Sequence, residues 1–379
     1  MQISFVALSL AAMCLPPKPP VVAAAPRTLK RGVPLVKKQI GTMEVTEVCA
    51  GTMTWGSFVE KEESAHKELD TFLAAGVNFL DTAEMYSFPR DPETQGNSER
   101  AVGSWMKARG NRDKVIVATK ITGPGSDLTH IRGGDLKFGR KQIRDAVENS
   151  LLRLQTDYID LYQTHWPERP SNFFGKLGYK HRDRDFTPFE ETLEALQELV
   201  GEGKIRAAGV SNETPWGLSK MLAMADADPK LIRMASIQNP YNLLNRTFEV
   251  GLAELAIRED CGLLAYSPLG FGALTGKYLD GPPPEGSRMA LFPSFQRHFK
   301  PNGVKATRAY VDLANRHGID PAVMALAFVN AQPFLTSNII GATTLTQLET
   351  NLSAEQTVLS DEVLEEIERI HLDNPNPAP

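Results

Sequence analysis

Four side chains suited to placing a proton on a carbonyl oxygen lie at or just beyond the ends of apolar, strand-like runs. They are Asp81 in GVNFLDTAEMY, Tyr86 five residues later, Lys120 closing VIVATK, and His165 closing DLYQTH. A carbonyl that receives hydride needs a proton for its developing alkoxide and donors around that oxygen. A free phenol titrates near pKa ~10, too high to exchange protons readily at neutral pH. A neighbouring ammonium favours phenolate, the task expected of Lys120. Asp81 would keep that ammonium charged and oriented, because an unpaired buried amine tends to lose its proton. His165 would hydrogen-bond the substrate oxygen. Taken singly, each has a plain structural role: a turn cap for Asp81, a pocket wall for Tyr86, a satisfied core histidine for His165. Their coincidence at the same end of successive strands argues for chemistry, and that chemistry requires no metal.

Further stretches suit a hydride-carrying cofactor. Ser211 and Asn212 in GVSN, with Gln238 in SIQN, offer hydroxyl and amide groups for a carboxamide. Tyr266 can stack on a nicotinamide ring. The loop SPLGFGALTGK (Ser267, Pro268, Leu269, Gly270, Phe271, Gly272, Ala273, Leu274, Thr275, Gly276 and Lys277) brings backbone amides and an ammonium to a pyrophosphate. Its glycines do not form GxGxxG between a strand and a helix, so an open dinucleotide-binding sheet is a poor reading. Trp55, Phe88, Trp166, Phe173 and Phe174 fall in loops after strands and are expected to line an apolar substrate pocket or to pack with one another.

The elements that position these groups alternate. A hairpin turning at Gly41 precedes eight strand–helix units, with strands at 48–52, 78–81, 115–120, 158–165, 205–211, 235–239, 262–267 and 337–342. Helices are expected at 62–75, 99–107, 141–154, 189–202, 215–225, 248–260, 305–317, 322–331, 346–352 and 361–370. Eight such units without a compositional break favour one closed (β/α)8 barrel over an open sheet. Long Gly/Pro-rich loops at 123–135, 166–180 and 280–288 follow strands, which places them at the mouth where barrel sites form.

The 379-residue chain is 42% hydrophobic with a net charge of −5, so neither nucleic acid nor an anionic membrane is expected as its main partner. Three cysteines without CxxC spacing and seven histidines without HxH or HExxH leave no disulfide framework or metal set in view. Residues 1–26 are expected to be a targeting leader: a short apolar stretch, then PPKPPVVAAAP, with no acidic residue before Glu44. A plastid or the secretory pathway is the expected destination, and residues 27–379 the barrel.

The motifs GTMTWG (51–56), GVNFLDTAEMY (76–86), QTHWP (163–167), GVSNET (209–214), QNPYNLLNR (238–246), AYSPLGFGALTGKY (265–278) and IIGATTLTQLETN (339–351) together resemble the aldo-keto reductase superfamily. The loops ETQGNSE and WPERPSNFFGKLGY are similar to those of the bacterial Tas-like members. The resemblance implies NADP(H)-linked reduction of aldehydes or ketones, with a tetrad of Asp81, Tyr86, Lys120 and His165 and with Tyr86 as proton donor. It also implies that Ser211, Asn212 and Gln238 hold the carboxamide, that Tyr266 stacks, and that 267–277 covers the pyrophosphate. Thr52 joins the cofactor set, and Arg288, Gly341, Thr343, Gln347 and Asn351 surround the adenosine end. Many strongly NADPH-selective members carry basic residues where this chain has Gly341 and Gln347, a gap that Arg288 would fill. Potassium-channel β subunits share the fold and tetrad, so a cofactor-binding redox sensor stands beside the reductase reading.

Overall fold

The computed structural model describes residues 34–55, 59 and 61–379; the expected leader lies outside the described residues. The strands are β1 Lys37–Ile40, β2 Met43–Thr46, β3 Val48–Gly51, β4 Phe79–Asp81, β5 Ile116–Ile121, β6 Ile159–Thr164, β7 Ile205–Ser211, β8 Met234–Pro240, β9 Gly262–Tyr266 and β10 Leu335–Ile340. β3 to β10 close into a parallel barrel in which β10 pairs with β3, while β1 and β2 form an antiparallel hairpin. This is the (β/α)8 barrel that the alternating pattern predicts. The main helices are α1 Glu62–Ala74, α2 Asn97–Arg109, α3 Arg140–Leu154, α4 Phe189–Gly201, α5 Pro215–Ala227, α6 Phe248–Gly251, α7 Ala253–Arg258, α8 Arg288–Leu291, α9 Pro301–Arg316, α10 Pro321–Asn330, α11 Leu345–Ser353 and α12 Asp361–Asp373. The single helix expected over 248–260 is thus two short ones, broken at Leu252.

The hairpin plugs one end of the barrel. Ile40, Met43 and Val45 pack on Cys49, Phe79, Ala118, Leu161, Leu264 and Ile339, the inward residues of the surrounding strands. That apolar layer excludes water from below, so polar side chains one layer higher must find partners inside the barrel. The helices cover the outside with a second apolar core, in which Leu69, Phe72, Trp105, Val147, Leu196 and Leu313 are fully buried. A third cluster roofs part of the opposite end: Ala83, Met85, Tyr86, Leu128, Ile131, Leu136 and Trp166. There the loop after β5 is fastened by Arg132, which pairs with buried Glu84 and donates to the Thr122 carbonyl at 2.9 Å.

Candidate active site

Register brings the polar layer together. Gly51 lies opposite Asp81, Lys120 opposite Gln163, and Ser211 opposite Gln238 across successive parallel pairs. Lys120 is fully buried, and its ammonium donates to Asp81 Oδ2 and to the Thr82 carbonyl, both at 2.7 Å. Asp81 Oδ1 accepts from Gln238 Nε2 at 2.8 Å and from Gln163 Nε2 at 3.4 Å. A buried ion pair is tolerable only when such extra hydrogen bonds meet its remaining valences. Gln163, which sequence reasoning passed over inside DLYQTH, is therefore a brace for the pair. Its one signal was a polar residue two positions after the inward Leu161 of the same strand. Gly209 permits this packing, since a side chain there would come within 2.6 Å of Ser236 Oγ and 3.4 Å of the Gln163 stem.

Tyr86 stands on the turn after β4, held by its amide to the Ala83 carbonyl at 3.0 Å and by the Gly96 amide to its own carbonyl at 2.6 Å. The Lys120 ammonium lies over the phenol face, 4.9 Å from the ring centre. The His165 ring meets the same phenol edge-on, with centroids 5.5 Å apart. Asp81, Tyr86, Lys120 and His165 are thus brought together. The electrostatics differ from expectation in one respect. Burial, with the Asp81 carboxylate second, pushes Tyr86 well above the ordinary phenol range instead of toward phenolate. Lys120 is already committed to Asp81, so the pair offers the phenol little net positive field. His165 is held well below its usual range, first by burial, then by the Lys120 and Arg90 charges. These groups by themselves hold a protonated phenol next to a neutral imidazole.

Above them a cavity of about 1250 Å³ runs along the barrel mouth, larger than the ~300–1,000 Å³ of ordinary small-ligand pockets. Asp81, Tyr86 and His165 line one part; Lys120 lies behind them. Of the expected cofactor residues, Thr52, Ser211, Asn212, Gln238, Tyr266, Ser267, Pro268, Leu269, Phe271, Gly272, Thr275, Lys277, Arg288, Gly341, Thr343, Gln347 and Asn351 line it. Gly270, Ala273, Leu274 and Gly276 do not. The stretch Gly270–Thr275 winds as a 3-10 turn that sends Ala273 and Leu274 into the core. Ser211 and Asn212 are also more committed than expected. Asn212, at φ 54°, donates to the His165 carbonyl at 2.9 Å and accepts from the Tyr266 hydroxyl at 2.6 Å. Ser211 donates to the Gln238 carbonyl at 2.8 Å.

Among the aromatic candidates, Trp166, Phe174 and Phe88 line the cavity. Phe173 packs behind them against Trp166 and Phe174, at 6.4 and 5.0 Å between centroids. Trp55 is a correction: it is buried away from the cavity, its indole donating to Glu68 Oε2 at 2.9 Å. A loop tryptophan near a strand end reads the same whether it faces the mouth or the helix layer.

The aldo/keto reductase family model matches residues 47–371. The chain belongs to this family. Protein tas of Escherichia coli K12 is 51% identical over 339 residues, 89% of this chain and 97% of that protein. The aldo-keto reductase of Babesia bovis is 38% identical over 274 residues, 68% and 96% of the two chains. The NADH-specific methylglyoxal reductase of Escherichia coli K12 is 32% identical over 343 residues, 86% and 95%. Aldo-keto reductases use nicotinamide cofactors, and the cavity's lining fits one: an aromatic face at Tyr266, the Lys277 ammonium beside the curled 267–272 loop, and polar groups at Arg288, Thr343, Gln347 and Asn351. Among the described residues no His, Cys, Asp and Glu grouping suits a metal ion, and no helix is long and apolar enough to cross a membrane.

Proposed function

We propose that the protein reduces aldehyde or ketone carbonyls with NADPH, Tyr86 giving the proton. The carrying observation is that a protonated phenol, a neutral imidazole and a buried ion pair converge at a cavity of about 1250 Å³. The cofactor, when bound, supplies hydride. Tyr86 then donates its proton to the oxygen that gains charge. His165, being neutral, keeps one N–H to donate to the substrate oxygen. Ser211, Asn212 and Gln238 position the carboxamide end, Tyr266 supplies the stacking face, and Ser267 to Lys277 covers the phosphates.

NADPH is favoured over NADH because Arg288 lines the cavity and by the family resemblance falls near the adenosine; a guanidinium suits a ribose phosphate there. Titration of NADPH and NADH by fluorescence, with a panel of aldehydes to follow turnover, tests both parts. Arg288→Ala should weaken NADPH roughly tenfold and NADH far less, on the scale of one charge-assisted contact. Equal losses would remove the phosphate assignment. Tight NADPH binding without oxidation by any carbonyl would favour a redox sensor. Residues 1–26 are proposed as a plastid or secretory leader, which N-terminal sequencing of the mature chain near Arg27 would support and an intact Met1 would oppose.

A further inference from the structure

Two guanidinium groups that this mechanism leaves unused face the substrate side of the cavity. Arg90 and Arg297 both line it, as do Trp166, Phe174 and Phe295. Arg90 is balanced by Asp127, with Nη1 2.6 Å from Oδ2, and it lies 5.7 Å from the centre of the Trp166 ring. Arg297 is different. It opens the short turn Arg297–Phe299 and stands beside the Tyr266 hydroxyl, whose pKa it lowers against the larger effect of burial. On its other side it touches Gly175, where a side chain would come within 3.0 Å of Arg297 Nε. The Pro379 oxygen approaches that same point of Gly175. Among the described residues, Arg297 forms no ion pair with a carboxylate.

We propose that the favoured substrates are carbonyl compounds bearing a carboxylate, anchored by Arg297 while the carbonyl faces Tyr86 and His165. This rests on the reductase reading above. One half-buried cation with no carboxylate ion-paired to it among the described residues matches a single negative charge, and its planar fork matches a carboxylate. A phosphorylated carbonyl would bring about two negative charges to that one cation, since Asp127 already holds Arg90. The same cavity has aromatic walls, with Trp166 and Phe174 in edge contact at 5.7 Å and Phe88 stacked on Phe295 at 5.4 Å. An apolar spacer between carbonyl and carboxylate fits them.

The probes are 4-formylbenzoate and its neutral methyl ester, compared as NADPH-dependent kcat/KM. The wild-type enzyme should prefer the acid. Arg297→Met should cut the acid-to-ester ratio roughly tenfold or more, chiefly through KM, the scale of losing one charge-assisted hydrogen bond. Arg297→Lys should restore part of the ratio. Calorimetric binding of 4-(hydroxymethyl)benzoate to the NADP+-loaded enzyme should weaken in parallel, with NADPH affinity unchanged in Arg297→Met. Equal use of acid and ester by wild type, a ratio unmoved by Arg297→Met, or a matching loss of NADPH affinity would each overturn the assignment. Reduction of neither probe, nor of any other aldehyde, would instead overturn the reductase reading itself.

Discussion

At the scale of single residues, the decisive quantities are charge and burial. The Lys120–Asp81 pair sits in the barrel interior with 2.7 Å geometry and three further hydrogen-bonding partners around it, the Thr82 carbonyl, Gln163 and Gln238. Lys120→Met leaves the Asp81 carboxylate buried and uncompensated, which should cost about 3–5 kcal/mol in urea unfolding. Lys120→Met with Asp81→Asn should recover much of that loss, because the remaining amide still accepts from Gln238. The pH dependence follows from two directions of shift. Tyr86 is raised, so its proton is present below the shifted value and lost only as pH rises through it. His165 is lowered, so its imidazole stays neutral down to well below pH 6.5. Single-turnover reduction should therefore be flat from about pH 6 to 9 and fall in the alkaline range. A fall between pH 6 and 7 that disappears in His165→Gln would contradict the neutral imidazole. The four candidate catalytic positions were legible because polar residues ending apolar runs are conspicuous. Gln163 was not, because its partners Asp81 and Gln238 are 82 and 75 positions away in the chain. The commitments of Asn212 and Gln238 were hidden for the same reason.

At the scale of elements, periodicity specified strands and helices but not which way a loop residue turns. The 267–277 stretch was readable as a loop after a strand; its winding, with left-handed Ser267, Phe271 and Gly272, was not. That winding decides that Leu274 enters the core while Lys277 lines the cavity. Trp55 shows the same limit. Instead of facing substrate, it ties the end of the first barrel strand to α1 through Glu68. Burial raises Glu68 to about 7, against the lowering effect of the Trp55 hydrogen bond. A carboxyl whose folded pKa exceeds its unfolded value contributes stability below the unfolded pKa and loses it as pH rises through the folded one. The loss should accumulate between about pH 4.5 and 7 and level off above, reaching about 2–3 kcal/mol. Glu68→Gln keeps an acceptor for the indole and removes the titration. Its thermal midpoint should match wild type near pH 5 and exceed it at pH 8.5; parallel midpoints at both values would contradict this account of α1.

At the scale of the whole molecule, closure of the barrel makes the chemistry possible. The hairpin seals one end with Ile40, Met43 and Val45, and the polar layer above gains its low-dielectric floor from that seal. The fold was the most legible feature, because eight strand–helix periods admit few topologies. Substrate identity was the least, because it resides in loops that pack by shape. The most direct test of the central claim is single-turnover oxidation of enzyme-bound NADPH by an excess of aldehyde, followed by cofactor absorbance in wild type and Tyr86→Phe. Wild type should consume the cofactor only when aldehyde is present. Tyr86→Phe should bind NADPH as tightly and react roughly 100-fold more slowly or worse, the usual scale of losing a positioned acid. Oxidation at the wild-type rate in Tyr86→Phe, or none in wild type with any carbonyl, would contradict the account.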